Sequence, residues 1–115
     1  MAITGAALQE CLRAVGAFLE KRRPPEEIRP QLDYQAHING STVQIIEVRP
    51  SWKDKTQLSE IPVAQVRWIA SRQVWRLYWM RRDLRWHSYP GLPETKTLEE
   101  ALAQVDRDPS GCFFG

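Results

Sequence analysis

The sequence predicts an α+β fold: an antiparallel β-meander of about five strands, with an N-terminal and a C-terminal helix packed on one face. Three observations lead there. Apolar residues recur three and four apart near both ends of the chain, over 8–19 and 98–105, the period of a helix with one buried side. Between them, over 32–89, the period is two, as in half-buried strands. Inside that region stands Asn39-Gly40, a strong hairpin signal because both residues tolerate positive φ.

Taken in order, Thr4 is placed to cap the first helix, and Leu8, Cys11, Leu12, Val15, Phe18 and Leu19 form its apolar stripe. Lys21, Arg22 and Arg23 suit a helix C-terminus, and Pro24-Pro25 ends it. Residues 26–29 allow a brief extra turn. A two-residue turn at Asn39-Gly40 pairs Ile38 with Ser41, Ala36 with Val43 and Tyr34 with Ile45. It leaves Gln35, His37, Thr42 and Gln44 on the opposite face. Residues 49–61 read as a long, charged connector, of the kind that is functional or mobile.

Pro62 is expected to open a third strand to residue 70, a turn at Arg72-Gln73 to lead to a fourth over 74–80, and a turn at Arg82-Asp83 to a fifth over 84–89. Two-residue turns would set Trp68 opposite Leu77, Val66 opposite Trp79, Ala70 opposite Trp75 and Trp79 opposite Trp86. The chain has five tryptophans, and these four would form an apolar face. The predicted core is Trp68, Trp75, Trp79 and Leu77 against Leu12, Phe18, Leu98 and Leu102. Thr97-Leu98-Glu99-Glu100 has the spacing of a capping box and starts the second helix, whose stripe is Leu98, Ala101, Leu102 and Val105. Pro109 stops it, and residues 111–115 form an apolar tail expected to pack on the core. How the first hairpin joins the meander is left open.

Bulk properties agree. The 115 residues make one domain, 1–115, because a second core would have too little material. No apolar run is long enough to span a membrane, and the N-terminus lacks the basic and continuous apolar segments of an export signal. The expectation is a cytoplasmic protein with reduced thiols, Cys11 and Cys112 being small apolar side chains. Net charge is +2, too small by itself to indicate a polyanionic partner.

Three stretches carry a resemblance: Glu47-Val48-Arg49-Pro50 with Trp52 nearby, the tryptophan-rich run from Trp75 to Tyr89, and Asp108-Pro109-Ser110-Gly111-Cys112-Phe113-Phe114-Gly115. From about Tyr34 onward the chain resembles the bacterial family called domain of unknown function 3024. The resemblance implies a small bacterial protein and transfers no catalytic residue.

One surface stands out. From Pro62 to Tyr89 there are six arginines and a single acid, Asp83, and the predicted register puts Arg67, Arg76 and Arg85 on one face with Tyr78, His87 and Tyr89. Guanidinium groups bind phosphate bidentately and aromatic rings stack on unpaired bases. This face is therefore the candidate site for single-stranded nucleic acid in a non-enzymatic binding module. A solvated sheet face, with arginine stems packed over tyrosine rings, is the plain alternative. A protein-interaction or regulatory adaptor is the alternative from another class. A nuclease-like enzyme comes third, from Asp33 with Glu47 and Arg49. The same hairpin register sets Asp33 and Glu47 on opposite faces, and arginine is a poor proton-transfer group. No nucleophile motif, phosphate loop or metal-ligand spacing is present, so no cofactor, metal or catalytic residue is expected.

Overall fold

The chain runs α1 (Gly5–Arg22), β1 (Asp33–Asn39), β2 (Thr42–Pro50), β3 (Leu58–Ile69), β4 (Val74–Met80), β5 (Trp86–Ser88), β6 (Glu94–Thr95) and α2 (Leu98–Arg107). This is a computed structural model, describing residues 2–114. The sheet order is β1-β2-β3-β4-β5, every pair antiparallel, so the first hairpin and the meander are joined through β2 and β3. The predicted α+β meander with a helix at each end is what forms. The short β6 is an addition that two residues cannot announce by period. It pairs with Trp75 and Arg76 of β4, and β5 covers the rest of that edge through Tyr78, Trp79 and Met80.

Register departs from the expectation in three places. In the first hairpin Gly40 takes the first central position of the turn, with φ 61°. Asn39 therefore pairs with Thr42, Ala36 with Ile45 and Tyr34 with Glu47. A glycine there with an ordinary residue after it is the primed-turn arrangement that matches strand twist. The shift is two residues, so the face assignment survives. Between β3 and β4 the loop has four residues, not two, and Trp68 lies opposite Trp75 and Val66 opposite Leu77. Again the shift is even. Between β4 and β5 it is odd. Leu84 N–H donates to Arg81 O (2.9 Å), Arg81 N–H donates to Arg85 O (3.2 Å), and Leu84 sits at φ 61°. A turn closed by one left-handed residue makes a three-residue loop, so Trp79 faces His87 and Met80 faces Trp86.

The connector is also shorter than expected. β3 begins at Leu58, which pairs with Pro50. A register shift between Ile45 and Ile46, whose partners are Ala64 and Pro62, leaves Val63 without a partner in β2. This is a β-bulge, and it lets Val63 and Ala64 both be buried.

Both helices lie on the face carrying Val43, Ile45, Ala64, Val66, Trp75 and Leu77, all at most 0% exposed. α1 contributes Cys11, Val15 and Phe18; α2 contributes Leu98, Ala101, Leu102 and Val105. Trp68 and Trp79 are only half-buried at the margin of this core. Leu12 is 53% exposed, because the buried stripe of α1 runs through Cys11, Val15 and Phe18 and Leu12 is rotated about 100° from Cys11. Thr4 stands at the N-cap of α1 without a side-chain cap bond. At α2 Thr97 caps the helix, its Oγ1 accepting from Glu100 N–H at 3.2 Å, while Glu100 Oε1 accepts from the Thr97 hydroxyl at 2.9 Å and not from the Thr97 N–H of a full capping box. Leu98 N–H is capped from the other helix, by Glu10 Oε1 at 2.9 Å. Lys21 meets Asp106 at the far end (2.7 Å), so the two helices run side by side in the same direction.

The tail is anchored as expected through Phe114. Asp108, left-handed at φ 43°, accepts from Phe113 N–H (3.0 Å) and Phe114 N–H (2.7 Å). Phe113 then packs on Tyr89 with ring centroids 5.0 Å apart, and Phe114 meets Tyr34 edge-on at 5.6 Å. Gly115, the end of the predicted tail, lies outside the described residues. Cys11 is fully buried, and burial pushes its thiol pKa up.

Candidate functional site

With both helices on the Trp75 face, the opposite face of the sheet carries no helix. Residues directly opposite across an antiparallel pair share a face, so the register can be read as rows. One row runs Asn39, Thr42, Arg67, Arg76, Glu94; the next runs His37, Gln44, Gln65, Tyr78, Ser88. These two polar rows are bounded by apolar ones. Ile69 and Val74 lie on one side, and Met80 with Trp86 on the other, where the Val63 bulge also interrupts the pairing.

Arg67 and Arg76 are direct cross-strand neighbours. Neither has a carboxylate within ion-pair distance among the described residues. Glu94 lies opposite Arg76 on β6, but Arg72 holds it through two bonds of 2.9 Å. The Arg67 guanidinium sits 5.1 Å from the centre of the Tyr78 ring, a cation–π contact. Arg76 Nε is buried with no acceptor.

The other three residues of the predicted set are elsewhere. The three-residue loop moves β5 by one position, and a one-residue slip turns every side chain over. His87 lies opposite Trp79, on the helix side of the sheet, and pairs with Asp83 at 2.8 Å. Arg85 precedes β5 at the loop, its N–H donating to Asp83 Oδ1 (3.0 Å). These bonds hold the Asp83 carboxyl below the usual carboxylate range, the one from His87 most of all. Tyr89 is only 2% exposed; its hydroxyl shares a hydrogen bond with Ser110 (2.9 Å) and accepts one from Gln104 Nε2 (3.4 Å). It is a core residue. In exchange the slip brings Trp86 onto the helix-free face. His37, Thr42, Gln44 and Gln65 also join it, because β2 sits next to β3. The polar alternation of the first hairpin was the signal for three of these.

The acids behind the nuclease-like reading do not meet. Asp33 pairs with Val48 and Glu47 with Tyr34, on opposite faces. Asp33 is clamped by Arg23 through two bonds of 2.8 Å, which lower its pKa; Glu47 binds Arg49. Among the described residues no three His, Cys, Asp or Glu side chains are grouped to hold a metal ion. Among the described residues no helix is long and apolar enough to cross a membrane.

The resemblance read from the sequence has its counterpart over nearly the whole chain, since the profile described as domain of unknown function (DUF3024) matches residues 4–115. The chain belongs to this family. No curated protein and no solved structure matches it significantly. In this DUF3024 chain the stretches that carry the resemblance are largely framework. Trp75, Leu77 and Tyr89 fill the core, and Asp108 fastens Phe113 and Phe114. Arg76, Tyr78 and Trp86 come from the same tryptophan-rich run and point the other way.

Proposed function

We propose that this protein is a non-enzymatic module that binds single-stranded nucleic acid across the helix-free sheet face. The observation that carries the reading is the Arg67–Arg76 pair, two guanidinium groups side by side with no carboxylate partner. Like charges directly opposite in a sheet are destabilising, and the buried Arg76 Nε lacks an acceptor. A phosphate at the guanidinium ends supplies the missing counter-charge. Tyr78 and Trp86 add rings on the same face for stacking on unpaired bases. A sheet face offers no single helix to a duplex major groove, which favours single strands.

The test is titration against labelled single-stranded RNA and DNA at two salt concentrations. Affinity is expected to fall steeply with salt. Replacing Arg67 and Arg76 together by alanine should weaken binding to all sequences alike and flatten the log–log salt slope by about 1.4, roughly 0.7 per phosphate contact. Tyr78→Ala should cost about 1–3 kcal/mol of binding. Arg85→Ala, off this face and bonded to Asp83 only through its backbone N–H, should leave affinity unchanged. Absence of binding at the lower salt, or a double arginine variant that binds like wild type, refutes the reading.

A protein-docking role has one observation in its favour. Trp52, in the β2–β3 loop, is 85% exposed, and Leu58 nearby in the chain is 66% exposed. Exposed tryptophan is a common anchor at protein interfaces. Capture from lysate with and without nuclease separates the two: a protein partner kept after nuclease and lost with Trp52→Ser supports docking.

A further inference from the structure

The two edges of the sheet are built differently. At β4 the short strands β5 and β6 close the edge, whereas β1 has a strand on one side only. Ser41 O accepts from Trp68 N–H at 2.8 Å, so the odd-numbered residues that follow in β2 turn their backbone groups to β3 and the even-numbered ones to β1. Asn39, His37 and Gln35, paired with Thr42, Gln44 and Ile46, therefore bond inward. The N–H and C=O groups of Tyr34, Ala36 and Ile38 point outward. Among the described residues the only bond to them is from Tyr34 N–H to Asp33 Oδ1, at 2.8 Å. Open edges are usually guarded by lysine, proline or a bulge, and Asp33–Asn39 has none of these.

An apolar flank adjoins this edge. α1 runs opposite to β1, with Ile3 N–H on Gly40 O (3.0 Å) at one end and Arg23 on Asp33 (2.8 Å) at the other. The side of α1 toward α2 carries Glu10, Ala14, Ala17 and Lys21. At 100° per residue, Leu12 and Gly16 lie on the side away from α2. Since α1 touches β1 while α2 touches β3, β4 and β6, that side is the one toward the β1 edge. Leu12 is 53% exposed, and Ile38, on the helix side of β1, is 39% exposed. Glycine is disfavoured inside a helix, and no neighbour requires one at position 16: a Cβ there would meet no atom within 4 Å. A glycine one turn from an exposed leucine leaves room for a second helix to come close.

We infer that β1 pairs with β1 of a second copy of this chain, antiparallel about a two-fold axis at Ala36, making a dimer with one continuous sheet; the inference is independent of the nucleic-acid reading. In that register the strand is complementary to itself. Ala36 exchanges both backbone bonds with its counterpart, and Tyr34 does so with Ile38 of the second copy. Tyr34 faces Ile38 on the helix side. Gln35 faces His37 and Asp33 faces Asn39 on the other, so no like charges meet. Because α1 runs opposite to β1, the same axis sets the two α1 helices antiparallel, with Leu12 and Gly16 toward each other. An extended peptide of another protein would pair with the edge and leave Leu12 and Gly16 uncovered. A second copy accounts for both, as an isologous interface does.

Sedimentation equilibrium of the full chain tests this. The wild type should show monomer–dimer exchange with a Kd of about 10 μM or tighter, the weaker end for a specific interface. Leu12→Lys, at an exposed helix position, should weaken the dimer at least about tenfold and leave the urea midpoint of dilute protein unchanged. Ala36→Pro removes an outward N–H from each copy at the axis, in an edge strand where proline is tolerated, and should weaken the dimer as much. Ile38→Lys, which guards the edge with a charge, makes the same test if Ala36→Pro does not fold. A wild type that stays monomeric at about 100 μM, ten times the expected Kd, overturns the inference. So does a dimer indifferent to either the helix or the edge substitution, or an assembly larger than two chains.

Discussion

Replacing Arg76 by methionine should make the protein more stable, the reverse of what removing a structural arginine does. Methionine keeps an unbranched apolar stem on β4 and removes the head group. The head group is a liability in the free protein: its Nε is buried without an acceptor, a cost of about 1–3 kcal/mol. It also lies directly across from Arg67, a like-charge pair that adds about 0.2–1 kcal/mol. Some of this is recovered by water and side-chain movement, so the expected gain is about 1–2 kcal/mol. Urea unfolding followed by tryptophan fluorescence reads it as a raised midpoint with unchanged slope. In a domain near this size a gain of ~1 kcal/mol raises Tm by roughly 4–8 °C. Added salt should stabilise the wild type by screening the arginine pair and do less for the variant. A variant less stable by ~1 kcal/mol or more would show that the guanidinium makes net favourable native contacts, and the case for an uncompensated pair would fail. The diagnostic combination is stability up with nucleic-acid affinity down.

Trp75→Ala should cost about 3–5 kcal/mol, because Trp75 is fully buried at the centre of the core, its ring centroid 4.8 Å from that of Trp68; Trp52→Ala, at the most exposed tryptophan, should stay within about 0.5 kcal/mol in the same denaturation series. Acid should unfold the protein through carboxylates whose folded pKa is lowered: Asp33, held down chiefly by its bond to Arg23, and Asp106, chiefly by Lys21. A lowered folded pKa gives stability that is present above the unfolded value, about 3.9 for Asp, and lost as pH falls through the folded one. Denaturation midpoints measured from pH 5 down to 2 should therefore hold until the ordinary carboxylate range and then drop, with a smaller drop in Asp33→Asn and Asp106→Asn; equal acid sensitivity in all three would contradict the assignment.

Much of the fold was legible because each element satisfied two independent signals. α2 has both an apolar stripe and an N-cap threonine, and both are realised. The first hairpin has alternation and a glycine able to take positive φ. Alternation alone tolerates an error of two residues, which is why the first two hairpins were misregistered with no harm to their faces. What period cannot show is a contact made by a single polar atom from a distant part of the chain. Glu10 capping Leu98 and Asp108 holding the tail are of this kind. So is the strand neighbour of Thr42 and Gln44, which is fixed only when β3 docks on β2.

The candidate site turned on a smaller matter, one residue in a loop. A two-residue turn after β4 would have put His87 and Tyr89 beside Tyr78. The observed loop has three, with Leu84 left-handed and 80% exposed. A leucine in that conformation is uncommon, so something must hold it, and the Asp83 bonds to Arg85 N–H and His87 do. Those residues looked like parts of a binding face and are instead the clamp that sets its parity. By turning β5 over, the clamp buries Tyr89 against Phe113 and places the half-buried Trp86 opposite Met80 on the helix-free side. The same odd step that removes two predicted contacts thereby supplies a ring at the border of the polar rows. The site is thus made of positions from both hairpins, with cations from β3 and β4, amides from β2 and β3, and rings from β4 and β5. No single stretch of the chain contains it, and only the sheet order assembles it.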